Sequence, residues 1–248
     1  MRSRAEFYRI IDPRFMLRSI SLVLVLLACG CAQPDPPSRS APRRDAGPET
    51  SRPAAAGESV ATATRPRIVF LGDSLTAGLG LAPDESVPAL IQRRLDDEGL
   101  EYEVVNAGRS GDTSAGGLSR LDWSLDGAVK VLVIELGAND GLRGLPPDAM
   151  KRNLAEMITR AKRRGIQVLL TGMEAQTNFG VAYTTEFRQV FKDLAREHDV
   201  ALMPFFLEGV AGMPGLNQRD GVHPNPEGAR VIERAVWHSL EPLLDDKD

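Results

Sequence analysis

The chain has 248 residues and a formal net charge of −4 at neutral pH, from 30 basic and 34 acidic side chains. A nucleic-acid-binding protein normally concentrates its basic residues on one face, and nothing in this composition suggests such a partner. The two cysteines, Cys29 and Cys31, are close together near the N-terminus, which leaves the rest of the chain without a disulfide framework, a thiolate zinc site or a cysteine nucleophile.

The first 28 residues have the form of a signal peptide. Two arginines precede an apolar run at 20–28, which is too short for a membrane-spanning helix and ends in small residues and cysteine. Residues 26–29, Leu-Leu-Ala-Cys, resemble a bacterial lipobox, in which cleavage before the cysteine is coupled to its lipidation. We therefore predict an exported, periplasmic or cell-envelope lipoprotein anchored through Cys29. A plain secretory signal is the alternative, and Met16 is an alternative start.

A proline-rich segment follows at 29–64. Six prolines fall between Pro34 and Pro53, and the segment contains no Leu, Ile, Phe, Tyr or Trp. Such a composition cannot bury enough apolar surface to fold, and its prolines favour an extended spacer. We predict a disordered tether at 29–64 and one folded domain at 65–248, which is long enough for one hydrophobic core.

From Pro66 onward, short apolar runs alternate with amphipathic helical stretches. Predicted strands lie at 68–71, 103–105, 131–136, 166–171 and 200–203, and predicted helices lie at 88–98, from Pro147 to a stop at Gly165, around 187–194 and after Asn225-Pro226. The run at 131–136 is almost continuously apolar, as in a strand buried on both faces. This alternation predicts an α/β fold with a parallel sheet between two layers of helices, and reactive groups at the carboxyl ends of its strands.

The first predicted strand is followed by residues 72–78, Gly-Asp-Ser-Leu-Thr-Ala-Gly. Ser74 would lie at a strand-to-helix turn, with its hydroxyl and its own N–H facing the same crevice. A serine hydroxyl becomes an effective nucleophile only when a nearby base accepts its proton. Thr76 occupies the second glycine position of the Gly-x-Ser-x-Gly elbow, so this is not the α/β-hydrolase turn. Taken alone, the segment fits a helix-capping serine equally well.

Two further loops offer hydrogen-bond donors at the same edge of the sheet. Residues 106–113 follow the second predicted strand, and the backbone N–H of Gly111 could donate to a developing oxyanion. Asn139 follows the third predicted strand and carries side-chain N–H donors on a short arm. A flexible capping loop and a glycine-rich turn are the respective structural alternatives.

An acid and a histidine lie three residues apart just before the last predicted helix. The carboxylate of Asp220 could hold the Nδ1–H of His223, which leaves Nε2 to accept a serine proton. His198 lies at the end of a polar helix and His238 within the last helix, and neither has a carboxylate at a useful spacing at the reactive end of the sheet.

Together these segments resemble the SGNH, or GDSL, hydrolase family, which is named for a Ser, Gly, Asn and His in four separated blocks. The residues that match the blocks, in chain order, are Ser74, Gly111, Asn139, Asp220 and His223. Residues 106–113 and 134–144 look closest to the branch of multifunctional bacterial acyl-CoA thioesterases, lysophospholipases and arylesterases.

The resemblance implies a flavodoxin-like, three-layer α/β/α fold with about five parallel strands, and hydrolysis of acyl esters or thioesters without a metal or organic cofactor. It implies Ser74 as nucleophile, His223 as its base and Asp220 as the acid that orients the base. The N–H groups of Ser74 and Gly111 and the side chain of Asn139 would bind the oxyanion. The expected partners are a small-molecule ester or thioester and, through the lipid anchor, a membrane, with no obligate protein partner.

Two alternatives remain open from the sequence. The same catalytic set could remove acetyl groups from envelope or extracellular polysaccharide, because an acetyl ester needs only a small pocket whereas a long acyl chain needs an apolar groove. A catalytically silent, tethered domain that binds lipid or glycan is the second alternative. The intact set of matched residues argues against a silent domain, because a domain that only binds need not retain it.

Overall fold

The computed structural model describes residues 65–244, so the predicted signal peptide, the tether and Cys29 lie outside the described residues. Within 65–244, five parallel strands form one sheet in the order β2-β1-β3-β4-β5. The strands are β1 (Arg67–Gly72), β2 (Glu103–Gly108), β3 (Val129–Glu135), β4 (Gln167–Thr171) and β5 (Ala201–Met203).

Eight α-helices accompany the sheet in the described part of the chain. They are α1 (Ser74–Ala77), α2 (Val87–Asp97), α3 (Ser114–Ser119), α4 (Leu121–Ser124), α5 (Ala138–Leu142), α6 (Pro147–Arg163), α7 (Val181–His198) and α8 (Pro226–Leu240). Helix α2 packs on α8, and α6 packs on α3 and α7, so helices form a layer on each side of the sheet. The predicted three-layer, flavodoxin-like fold is confirmed. None of these helices is both long and apolar enough to cross a membrane.

The centre of the sheet is formed by β1 and β3. Residues 68–71 of β1 and 132–134 of β3 are fully buried. Strands covered by helices on both faces have no solvent side, which is why these runs are continuously apolar. Each fully buried large aliphatic side chain stabilises the fold by about 1.5–3 kcal/mol. The central strands therefore hold rigidly whatever follows their carboxyl ends.

Local signals set the helix ends as predicted at two places. Pro147 opens α6, and Gly165, with a φ of +71°, follows its end. The side chain of Asn225 caps α8 by accepting a hydrogen bond from the N–H of Gly228 at 3.0 Å.

Other predicted boundaries are wrong by a few residues. The predicted end of β2 at Val105 is too early, because residues 106–108 continue the pairing with β1. Asn106 gives a loop-like signal but serves the strand end, since its Nδ2 donates to the carbonyl of Thr76 at 3.0 Å and its Oδ1 accepts from the N–H of Gly108. The glycine-rich turn considered as the structural alternative around Asn139 is instead the short helix α5.

The order of the strands reverses between β1 and β3. In open parallel sheets, a crevice forms at the carboxyl ends of the two strands at such a reversal. Ser74 follows β1 by two residues, and Asn139 lies four residues beyond the end of β3. The topology thus brings the first and third predicted site residues to the same crevice.

Candidate active site

Ser74 is the first residue of α1, in a tight turn that we call the serine turn (residues 72–78). Asp73 caps the helix, because its Oδ1 accepts a hydrogen bond from the N–H of Leu75 at 3.0 Å. The N–H of Ser74 belongs to the first turn of the helix and has no intrahelical acceptor. A ligand oxygen beside Ser74 could therefore receive this hydrogen bond.

The serine turn packs too closely on its neighbours for side chains at two glycines. A Cβ at Gly72 would collide with Thr76 Oγ1, and a Cβ at Gly108 would collide with the backbone N of Ala77. Glycine at these two positions lets α1 press against the ends of β1 and β2, which fixes the height of Ser74 above the sheet.

The structure brings the predicted serine, histidine and aspartate into contact. His223 Nε2 lies 2.9 Å from Ser74 Oγ, and His223 Nδ1 lies 2.7 Å from Asp220 Oδ2. Asp220 Oδ1 also accepts hydrogen bonds from the N–H groups of Val222 and His223, at 2.9 and 3.0 Å. Burial acts to raise the pKa of Asp220, but these hydrogen bonds and the imidazole outweigh it and hold the pKa below its ordinary value.

The Asp–His loop (residues 217–224) is held together across its base and is bonded to Leu79, the residue just after the serine turn. The N–H of Gln218 donates to the carbonyl of His223 at 2.7 Å, and Asn217 forms an antiparallel bridge with Pro224. The side-chain amide of Gln218 donates to the carbonyls of Leu79 and Pro224, at 2.7 and 2.9 Å. The imidazole is thereby held next to Ser74 by a loop that makes most of its contacts with itself.

The other two predicted oxyanion donors, Gly111 and Asn139, line the same cavity as Ser74. Gly111 has a φ of +86°, and its carbonyl accepts a hydrogen bond from Arg143 Nη2 at 2.9 Å. Asn139 lies in the first turn of α5, and its Nδ2 donates to Asp73 Oδ2 at 3.0 Å. A primary amide has two N–H groups, so one N–H of Asn139 remains for a ligand.

A cavity of about 230 Å³ opens over Ser74 and is bordered by His223, Gly111 and Asn139. Its apolar lining consists of Leu75, Leu79, Ala138, Leu142, Met173, Leu207 and Val222. The cavity therefore combines a few polar groups at one point with an apolar wall, the composition typical of small-molecule sites.

Two buried carboxyl groups beneath Ser74 are site components that the sequence analysis missed. Asp73 is 1% exposed and Glu135, the last residue of β3, is completely buried. Glu135 Oε2 accepts a hydrogen bond from Thr76 Oγ1 at 2.8 Å. The signal was a glutamate near the end of the apolar run at 131–136, since a glutamate is almost never fully buried without a specific partner.

The remaining histidines lie elsewhere in the domain. His198 is the last residue of α7, and His238 is exposed on α8. Within residues 65–244, no group of three or more His, Cys, Asp or Glu side chains is arranged to hold a metal ion.

Comparison with known proteins places this geometry in a family. The model of the GDSL-like Lipase/Acylhydrolase family matches residues 70–231. Esterase TesA of Pseudomonas aeruginosa is 46% identical over 178 residues, which cover 71% of this chain and 89% of that protein. Arylesterase of Vibrio mimicus is 41% identical over 183 residues (73% and 92%), and thioesterase 1/protease 1/lysophospholipase L1 of Escherichia coli K12 is 36% identical over 179 residues (72% and 85%).

A solved structure agrees with the relatives. The crystal structure of TesA matches with a TM-score of 0.69 and 46% sequence identity, over 72% of this chain and 99% of that one. The family model covers more than half of the chain, and each of the three relatives named exceeds 30% identity over most of its own length. The chain therefore belongs to the GDSL-like lipase/acylhydrolase family, that is, to the SGNH hydrolases.

Proposed function

We propose that the protein is a serine esterase or thioesterase that hydrolyses acyl esters through an acyl-enzyme, with Ser74 as nucleophile, His223 as base and Asp220 as orienting acid. The observation that carries the proposal is the pair of short contacts that joins Asp220, His223 and Ser74 at the mouth of an apolar cavity. A serine becomes nucleophilic when a histidine accepts its proton, and a carboxylate on the other ring nitrogen fixes the tautomer that can do so.

The proposed reaction has two halves. Ser74 Oγ attacks the acyl carbonyl carbon while His223 Nε2 accepts the hydroxyl proton, and Asp220 stabilises the imidazolium. The oxyanion then collapses, the bond to the alcohol or thiol breaks, and His223 returns the proton to that leaving group. Water attacks the acyl-enzyme with the same proton path and releases the carboxylic acid and free Ser74.

The negative oxygen that forms on the acyl carbon needs hydrogen-bond donors already in place. We assign this role to the N–H groups of Ser74 and Gly111 and to the free N–H of Asn139, all of which border the cavity. Donors fixed before the reaction stabilise the transition state without reorganisation, and loss of one typically costs about 10²–10³ in kcat.

The apolar wall of the cavity supports an acyl chain longer than acetyl. A hydrocarbon chain can bury its apolar surface against side chains such as Leu142, Met173 and Leu207. An acetyl group is too short to contact much of this wall. The names of the relatives, an esterase, an arylesterase and a thioesterase/lysophospholipase, agree with acyl esters and thioesters as substrates.

The test is hydrolysis of p-nitrophenyl esters with acyl chains from two to sixteen carbons, and of an acyl-CoA, by the full chain. We expect hydrolysis that prefers chains longer than acetyl, that is lost in Ser74→Ala, and that is kept in Ser119→Ala, an exposed serine at the end of α3. Hydrolysis of p-nitrophenyl acetate alone would favour the alternative of a polysaccharide deacetylase. If the folded protein hydrolyses no ester, the proposed esterase activity is contradicted and a binding domain is favoured.

We also infer that the chain is exported and held at the cell envelope by a lipid on Cys29, with residues 29–64 as a tether to a hydrolase domain at 65–248. The lipobox-like residues 26–29 and the proline-rich composition support this inference. Labelling with palmitate in a bacterial host should be abolished in Cys29→Ala and retained in Cys31→Ala. Undiminished labelling of the Cys29 variant would contradict the anchor.

A further inference from the structure

The serine turn rests on a fully buried glutamate. Glu135 Oε2 accepts hydrogen bonds from the N–H of Asp73 at 3.3 Å, from the N–H of Thr76 at 3.2 Å and from Thr76 Oγ1 at 2.8 Å. All three donors belong to the turn that carries Ser74, and Glu135 ends the central strand β3. One carboxyl group therefore ties the turn to the middle strand of the sheet.

The surroundings of Glu135 favour its neutral form. Within the described residues, no cation pairs with Glu135, and its Oε1 has no hydrogen-bond partner. Burying an ionised carboxylate with one oxygen unpaired is costly, so the group keeps its proton instead. Burial and the neighbouring charge of Asp73 raise the pKa of Glu135 well above its ordinary value.

Asp73 is held in the opposite state. Its Oδ1 accepts from the N–H of Leu75 and its Oδ2 accepts from Asn139 Nδ2, both at 3.0 Å. Burial raises the pKa of Asp73 to about 6, although these hydrogen bonds and the charge of His223 act to lower it. Above this pH the pair holds one proton, on Glu135, and one negative charge, on Asp73.

We propose that the charged Asp73 is a positioning residue for Asn139, and that protonated Glu135 holds Asp73 in place from below. Asp73 fixes one N–H of the Asn139 amide, so the second N–H is directed at the oxyanion. A hydrogen bond to an ionised acceptor is roughly twice as strong as a neutral one, so the negative charge of Asp73 holds the Asn139 amide more firmly in place. The inference rests on the proposed function, because Asn139 has an oxyanion to bind only if Ser74 attacks an acyl group.

Several charged groups on neighbouring elements face Asp73. Glu135 approaches from β3, and His223 approaches from the Asp–His loop with Asp220 behind it. Arg120, just after α3, donates from Nη2 to the carbonyl of Gly72 at 2.8 Å. Glu135 is neutral in the range where Asp73 titrates, and Arg120 is always charged. Of these groups, His223 is the one whose protonation also stops the reaction on the acid side, so its contribution must be separated by a variant.

A double-mutant cycle tests whether Asp73 acts through Asn139. The full chain is assayed at pH 8 with the best p-nitrophenyl ester as wild type, Asp73→Asn, Asn139→Ala and the double variant. We expect each single change to lower kcat by about tenfold to a few hundredfold at a KM within about twofold of wild type. The double variant should be no slower than Asn139→Ala within about threefold. Losses that multiply in the double variant would overturn the proposal.

The acid limb of the pH profile tests the same role without altering Asp73. In the wild type, kcat should fall at low pH through two protonations, because protonation of the Asp73 carboxylate and protonation of the His223 imidazole each inhibit the reaction. In Asn139→Ala, the fall should follow a single protonation, because the charge of Asp73 then has nothing to position. Identical acid limbs in the two proteins would overturn the proposal, even if Asp73→Asn does not fold.

Infrared spectroscopy tests the proton on Glu135. At pH 8 the wild type should show the C=O stretching band of a buried protonated carboxylic acid, which Glu135→Gln should lack and Ser74→Ala should retain. Absence of this band from the wild type would overturn the assignment of the proton. A wild type that hydrolyses no ester would instead refute the proposed function. Hydrolysis that depends on Ser74, together with losses that multiply in the Asp73→Asn/Asn139→Ala double variant, would refute the positioning role alone.

Discussion

The serine turn and the Asp–His loop meet at Ser74 Oγ, but they are built in opposite ways. The serine turn is fixed by groups distant in sequence, with Glu135 and Asn139 bonded to residues 59 to 66 positions away. The Asp–His loop is fixed largely by itself, since Asp220 bonds to residues two and three positions away. Asp73 is 1% exposed, whereas the side chain of Asp220 is 47% exposed.

This difference separates catalysis from stability. A change beneath the serine turn disturbs a buried hydrogen-bond network, so it should alter both the fold and the reaction. A change in the Asp–His loop alters a partly exposed pair outside the core, so it should alter the reaction far more than the stability.

The largest effect should come from the base that joins the two regions. We expect His223→Ala to lower kcat by about 10⁴ or more, because Ser74 then lacks its proton acceptor. The free energy of unfolding should stay within about 0.5 kcal/mol of wild type. Steady-state kinetics and urea unfolding measure both, with His238→Ala, exposed on α8, as the control. A loss of activity in the control equal to that in His223→Ala would contradict the assignment.

The second largest effect, that of replacing Asp220, tests whether the Asp–His loop acts mainly in catalysis. Asp220→Asn should lower kcat by about 10³–10⁴, because an amide in place of the carboxylate favours the wrong tautomer of His223. Its thermal midpoint should lie within a few degrees of that of Asp97→Asn, a control at an exposed position at the end of α2. A kcat within tenfold of wild type would remove Asp220 from the triad.

The pH dependence of stability should have opposite signs in the two regions. The pKa of Asp73 is raised to about 6 in the folded state, so folding takes up a proton between about pH 4 and 6 and stability falls as pH rises through this window. The pKa of Asp220 is lowered, so its contribution to stability is lost as pH falls. The unfolding free energy of Asp73→Asn, relative to wild type, should rise by about 2 kcal/mol from pH 4 to 8.

Urea unfolding at several pH values measures this difference for Asp73→Asn, with Asp220→Asn as the comparison. The second variant should show a smaller change in the opposite direction, since its carboxylate is partly exposed to solvent. Parallel pH profiles for the two variants would break the distinction between the regions.

The smallest effect concerns the hydrogen bond that ties the serine turn to Glu135. Thr76→Val keeps the shape of the side chain but removes the donor to Glu135 Oε2, so it should lower the free energy of unfolding by about 1–2 kcal/mol. Thr185→Val, exposed on α7, should change it by less than about 0.5 kcal/mol. Equal stabilities of the two variants would show that the network beneath Ser74 contributes nothing to the fold.

The same difference explains what the sequence could predict. The Asp–His loop is local, so the spacing of Asp220 and His223 was enough to predict a contact that the structure contains. The apolar runs and the Pro, Asn and Gly signals gave the α/β fold, and the resemblance gave the family. The roles of Ser74 and its partners stay predictions for the experiments above.

Contacts between distant segments could not be read from the chain. Glu135 reads as one charge at the end of an apolar run, and only the pairing of β1 with β3 places it under Thr76. Asn106 is a turn former by composition, yet the sheet extends through it because β1 offers a partner. Sequence patterns report local geometry, whereas these positions are decided by tertiary pairing.

The central claim is that Ser74 forms the acyl-enzyme, and covalent labelling tests it most directly. The full chain is treated with a fluorophosphonate, digested and mapped by mass spectrometry while ester hydrolysis is followed in parallel. We predict one adduct, on the peptide that contains Ser74, with hydrolysis lost in proportion to labelling. An adduct on a different residue, or hydrolysis that survives complete labelling of Ser74, would contradict the account.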